Sequence, residues 1–268
     1  MNLAQPAPNF ESARLLGRLA DRSKRKSGIQ LPVGFIRTED PKLPPPLTRM
    51  LRGGRGGAVR LKLYLCMSLV ASRSPYDIRS IPSRAWAETL ALPEPSTLGA
   101  RRVADAIKWL GDEKMIAVAR RQGAAPTVTL LDPLGTGLKY SRPAKQWVTV
   151  PLGFWRQQWI TALSGSAVAL LIILLDLQGG RKSAAQAPSL STDQRLRYSL
   201  SDDTWTRATS ELVSHDLLDV RRVAHGRDFD WKRMRNTYWI RKGRLDQLPD
   251  SLTAPGTTDA GGYRTSHG

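Results

Sequence analysis

Cysteine is nearly absent from this chain: Cys66 stands alone in 268 residues. That excludes an intramolecular disulfide and fits a reducing cytosol. Cys66 lies in the apolar run Leu61–Ala71, where a buried, inert thiol is expected. Histidine is scarce as well. His215, His225 and His267 form no His-x-His pair, and one cysteine cannot complete a Cys/His zinc set. No acidic cluster suggests a two-metal nuclease. The segment Gly179-Gly180-Arg181-Lys182-Ser183 lacks the Gly-x-x-x-x-Gly-Lys spacing and the preceding strand of a phosphate loop. These absences predict a binding protein, with no enzymatic activity, no metal and no cofactor.

A long unbroken apolar run is missing too. Trp159–Leu175 carries no charge, but Ser164-Gly165-Ser166 interrupts it and Asp176 ends it. A spanning helix needs roughly 20 apolar residues, so a helix buried in a soluble core is expected, with no membrane partner. Met1–Phe10 has no basic-then-apolar secretory pattern, and the expected location is cytoplasmic.

Acidic residues are few: 23 Asp and Glu face 41 Lys and Arg, a net charge of +18. The excess is spread out, with +8 over residues 1–60, +5 over 61–143 and +5 over 144–268. Charge of one sign repels itself in a compact state, and a polyanionic partner relieves it; nucleic acid is the commonest.

Composition divides the chain. Residues 1–44 are Pro-rich and basic without a sustained period, apart from a short Ala/Leu/Arg stretch at Ser12–Ala20, and read as a disordered arm. A first unit is expected over 45–133, a linker over 134–145, a second unit over 146–245 and a disordered tail over 246–268. In the first unit a helix is expected from Ala58 to Ser72, an extended piece at Tyr76–Ile81, and a helix capped by Ser83. A helix capped by Ser96 or Thr97 should follow, then strands Met115–Arg120 and Val128–Leu131. In the second unit an extended Trp147–Pro151 precedes helices Gly153–Leu163 and Ser166–Leu177. A loop, the Ser201-capped helix Leu200–His215 and strands Leu217–Val223 and Thr237–Ile240 complete it.

The two units repeat each other. Setting Ser96–Arg120 on Tyr198–Arg222 pairs Leu98 with Leu200, Val103 with Trp205, Ala106 with Ala208 and Leu110 with Leu212. It also pairs Met115 with Leu217, Ile116 with Leu218, Val118 with Val220 and Arg120 with Arg222, without a gap. Gly57 to Leu65 resembles Gly165 to Leu174 more loosely. Trp86, Trp109, Trp155, Trp159 and Trp239 are expected in the core.

The order helix, helix, turn, helix, strand, basic turn, strand resembles the winged-helix family. The stretch Tyr198-Ser199-Leu200-Ser201 followed by Leu212…Leu217-Leu218-x-Val220-x-Arg222 is similar to its helix-to-wing junction. The resemblance implies a mainly α fold with small β wings: two winged helix-turn-helix units in tandem. It also implies that the third helix of each enters a major groove of double-stranded DNA. On the free face of Leu98–Gly111 this puts Arg101, Arg102 and Lys108, together with Asp105. On that of Leu200–Val213 it puts Thr204, Thr206, Arg207 and Ser210. Wing residues near phosphates would be Arg120 and Arg121 in the first unit, and Arg227, Lys232, Arg233 and Arg235 in the second.

Two such units in tandem resemble replication initiators of plasmids and mobile elements of high-GC bacteria. The implied partners are origin repeats and host replication proteins, on the plasmid or nucleoid. Transcriptional regulation of a mobile element is the alternative. No long dimerisation helix is evident. The first unit is expected either to grip the DNA backbone or to bind a second copy, giving a homodimer.

Overall fold

A computed structural model describes residues 10–40, 42–54, 56–78, 81–122, 124–225 and 233–253. Among them the fold is mixed α/β, with more helix than strand and small antiparallel sheets. Of the stretch expected to be an arm, residues 10–40 form packed helix and strand. Helix α1 (Phe10–Ser23) buries Ser12, Leu16, Leu19, Ala20 and Ser23 and turns Arg14, Arg18 and Arg22 outward. That spacing is a helix face, and Ser12 Oγ donates to the Thr89 carbonyl at 2.7 Å. Strand β1 (Gly28–Pro32) and the single-turn helix α2 (Val33–Ile36) follow, with Ile29, Phe35 and Ile36 in the core.

The rest of the first half begins with α3 (Pro46–Leu51) and α4 (Gly57–Val70). Strand β2 (Asp77–Ile78), α5 (Ser83–Thr89) and α6 (Leu98–Asp112) come next, then β3 (Ile116–Arg121) and β4 (Ala124–Leu130). The sheet order is β2-β4-β3, all antiparallel. The expected serine and threonine caps are not made. Pro82 precedes α5 and Ser83 is its first residue, while the Thr97 hydroxyl donates to Glu94 at 3.0 Å.

The second half opens with β5 (Trp147–Pro151). The single Trp-rich helix expected there is two short ones, α7 (Gly153–Arg156) and α8 (Trp159–Ala162), because Gln158 adopts φ 62° and breaks the run. Helix α9 (Gly165–Gln178), capped by Ser164, is the apolar segment. It buries eleven of its 14 residues, as α4 does, which accounts for its composition. Among the described residues no helix is long and apolar enough to cross a membrane. A short helix the sequence reading missed, α10 (Thr192–Leu196), carries a complete capping box between Ser191 and Gln194. Then come α11 (Asp202–Ser214), β6 (Leu218–His225), β7 (Arg233–Ile240) and, inside the expected tail, α12 (Asp250–Thr253).

The backbone repeats as the side-chain pattern does. After α6, Lys114 takes φ 58° and the Met115 amide donates to Leu110; after α11, Asp216 takes φ 57° and the Leu217 amide donates to Leu212. Both bonds are 3.0 Å. Leu131 N then bonds Met115 O at 2.9 Å, as Arg241 N bonds Leu217 O at 3.0 Å. The counterpart of the β2-β4 pairing is one bridge, Ser189 to Thr237.

The repeat also reaches further back than the sequence reading took it. Ile29-Gln30-Leu31-Pro32-Val33-Gly34-Phe35-Ile36 matches Val148-Thr149-Val150-Pro151-Leu152-Gly153-Phe154-Trp155, and both stretches form a strand followed by a helical turn. The two strands pair antiparallel with Gln30 opposite Thr149 at the centre, Ile29 opposite Val150 and Leu31 opposite Val148. Equivalent residues thus exchange places across the ladder, as they do about a two-fold axis. Helices α4 and α9 cross nearby, where a Cβ on Gly165 would meet the Ala58 Cβ at 2.7 Å. One hydrophobic cluster runs through both halves.

Candidate nucleic-acid interface

Helix α11 is fixed from below by Trp205, Ala208 and Leu212, all buried. Trp205 meets Tyr238 of β7 edge to face at 6.0 Å. Glu211 reaches down and accepts from the amide (2.6 Å) and hydroxyl (2.5 Å) of Ser164, so α11 itself caps α9. The face left outside carries Asp203, Thr206, Arg207 and Ser210, one helical stripe. Arg207 is paired with Asp203 at 2.6 Å, with both side chains more than 70% exposed (71% and 75%), so solvent screens the pair and a competing base or phosphate can replace it. Ser210 Oγ donates to the Thr206 carbonyl at 3.1 Å. Thr204 is committed to the helix start: its amide donates to Ser201 Oγ at 3.3 Å and its hydroxyl bonds the same oxygen at 2.8 Å.

Helix α11 holds one basic residue, Arg207, against Asp202, Asp203 and Glu211. The positive charge of this half stands beside it. Side chains alternate along a strand, so Arg222 and Asn236 lie on the same sheet face as Val220 and Tyr238, beyond the core contact. With Arg195 of α10 and Arg235 they line a cleft of about 430 Å³. Arg195 stacks over Trp205 at 4.7 Å and pairs with Asp202 at 2.8 Å. Arg195, Arg222 and Asn236 are absent from the sequence-derived set. The alternation from Val220 would have pointed to Arg222, and the capping box to Arg195.

The first half differs chemically. Arg101, Arg102, Asp105 and Lys108 are all exposed on α6. Lys108 is paired with Asp112 at 2.8 Å, and that hydrogen bond raises its pKa. Arg101 and Arg102 have no ion pair among the described residues. They sit near a helix start whose first turn holds no acid, so they oppose the helix dipole until an anion joins them. Beside α6 is a groove of about 440 Å³ whose floor is Ala104, Ile107, Gly111, Val118 and Pro126, with Ser83 and the Lys108–Asp112 pair also lining it, more apolar than the arginine-lined second cleft. In the aligned repeat Arg101 stands opposite Asp203 and Asp105 opposite Arg207, so the charge order is reversed between the two helices.

The expected wing residues are placed unevenly. Arg120 and Arg121 are in β3, and Arg233 begins β7 opposite His225; their side chains lie outside the description. Arg227 and Lys232 lie outside the described residues. Strand pairing extends to His225 and Arg233, so the second hairpin is longer than the first, whose ladder closes at Arg121 and Ala124. Among the described residues no three His, Cys, Asp or Glu side chains form a metal-binding group. Cys66 is buried, and that burial pushes its thiol up to about 12.

No protein-family model matches the chain, and no curated protein matches it.

Proposed function

We propose that the chain binds double-stranded DNA through two winged-helix units, with α6 and α11 each entering a major groove and the β3-β4 and β6-β7 hairpins flanking the duplex. The supporting observation is the repeated order helix, strand, helix, helix, hairpin. In the first half it comes with sheet order β2-β4-β3; in the second the Ser189–Thr237 bridge stands in for the first strand. A net charge of +18 and an arginine-lined cleft between helix and hairpin supply the phosphate attraction. Arg101, Arg102 and Arg207 are the proposed base readers. Arg222 and Arg235 are the proposed backbone contacts.

The internal two-fold relation of β1 and β5 supports one chain reading two half-sites in opposite directions, without a second copy. The reversed charge order on α6 and α11 makes the two half-sites unequal. The biological role we propose is initiation of replication at repeats on a plasmid or mobile element, with host replication proteins recruited there. Footprinting across such an element tests both levels. Protection of repeats beside an AT-rich tract supports initiation, protection over a promoter reassigns the role to transcriptional control, and no protected site removes the DNA reading.

A further inference from the structure

A second basic site lies away from both helices. The turn from α1 to β1, the loop from α4 to β2 and the segment after β4 enclose a cleft of about 350 Å³. Lys24, Arg25, Lys26, Arg73 and Arg142 line it with three serines, Gly28 and Gln30, and no carboxylate is among the lining residues. Two of the five cations build its floor. The Arg25 guanidinium donates to the carbonyls of Ser68 (2.9 Å), Leu69 (3.0 Å) and Ala71 (3.2 Å), satisfying the end of α4. Arg142 donates to the Ser72 carbonyl at 2.5 Å. Burial, reinforced by the like charge of Arg142, holds Arg25 below the ordinary guanidinium range. Lys24, Lys26 and Arg73 are exposed and have no side-chain hydrogen bond or ion pair among the described residues.

The position of the cleft separates it from the proposed reading surface. Arg73 lies just before β2, and the Tyr76 carbonyl accepts from Leu130, the last residue of β4. The hairpin turn of that sheet is at the other end of β4, whose seven residues span about 20 Å at 3.3 Å each. Arg73 therefore stands about one strand length from the hairpin turn. Converging like charges raise the free energy of the compact state, and an anion with several acceptor oxygens lowers it. The Arg73 guanidinium, the two lysine ammoniums and the hydroxyls of Ser27 and Ser72 together suit phosphate better than a lone carboxylate.

We propose that this cleft is a phosphate-binding site that holds the backbone of a nucleic-acid segment at the end of the first sheet remote from its hairpin turn. It rests on the reading of the partner as nucleic acid, and the variants below separate the two. The test is binding of a short labelled duplex of random sequence to the full chain across a salt series. The cleft variant is Lys24→Gln/Lys26→Gln/Arg73→Gln. The reading-face variant is Arg101→Ala/Arg102→Ala/Arg207→Ala/Arg222→Ala/Arg235→Ala, and the third variant combines both sets. Thermal melting of each shows that it is folded.

Each lost phosphate contact lowers the log–log salt slope by about 0.9, so the cleft variant should lose about 2–3 from the slope while its sequence preference stays unchanged. The reading-face variant should keep salt-sensitive binding that the combined variant lacks. If the cleft substitutions leave the slope unchanged, or the combined variant binds as the reading-face variant does, the cleft assignment is overturned while the DNA reading stands. If the unaltered chain binds no duplex, both fall. Displacement of the residual duplex by poly-glutamate at equal charge would make the cleft a site for acidic protein and would also overturn the assignment.

Discussion

Lys62 is half-buried, with its ammonium group held between α4, α8 and α11. Its Nζ donates to the Thr161 carbonyl at 3.4 Å, and Glu211 supplies an opposing charge. Burial lowers its pKa to about 8 from 10.5, against the opposing pull of Glu211. The unfolded chain therefore binds more protons than the folded one between those two values, and stability rises with pH across that window. Below pH 8 the full cost remains, at most about 3 kcal/mol. Lys62→Met should raise the urea midpoint at neutral pH and flatten the rise in stability between pH 8 and 10.5. On the surface, Arg207→Ala should cost about 1–3 kcal/mol of discrimination between a preferred and a random duplex. Arg222→Ala with Arg235→Ala should weaken both duplexes alike; competition binding separates the two patterns.

At the scale of elements, the halves are locked by contacts that no periodicity reveals. Asp176 of α9, whose side chain is 8% exposed, accepts from Arg37 after α2 at 2.9 Å and from the Tyr198 hydroxyl before α11 at 3.1 Å. Asp176→Asn leaves half-buried Arg37 only its longer pair with exposed Glu39 (3.8 Å) and should destabilise by about 2 kcal/mol, whereas Tyr198→Phe removes one hydrogen bond and should cost about 1 kcal/mol. Gly165→Ala should cost about 1–3 kcal/mol, because its Cβ would meet Ala58 Cα at 2.8 Å. Gly180→Ala, with open space around it, should be close to neutral. Chemical denaturation of the four variants checks both pairs.

Much of the element order of 45–133 and 146–245 was legible in the sequence because α6, α11 and the strands after them are amphipathic with a strict period; α3, α10 and the break between α7 and α8 were not. Helix α1 was not, since its buried face uses Ser12 and Ser23 beside Leu16 and Leu19 and looks too polar for a core stripe. The strand and turn Ile29–Ile36 were hidden by the same expectation of disorder, although their match to Val148–Trp155 was present to be found. The exposed faces of α6 and α11 were also legible. The commitment of Thr204 to the cap, the pairing of Arg207 with Asp203 and the cleft between α10 and the last hairpin depend on tertiary neighbours and were not.

At the scale of the molecule, the symmetric β1-β5 ladder, the crossing of α4 and α9 and the continuous core make the two halves one body with an internal two-fold relation. If each half uses its third helix, one chain spans two major grooves, and its two helices meet the duplex in opposite senses with different charge patterns. The most direct measurement is hydroxyl-radical footprinting of the full chain on a selected duplex, repeated with Arg101→Ala/Arg102→Ala and with Arg207→Ala/Arg222→Ala/Arg235→Ala. The account predicts two protected segments on one face, about 10 base pairs apart, with the first variant losing one segment and the second variant losing the other. A single protected segment lost in both variants, or protection that neither variant alters, would contradict it.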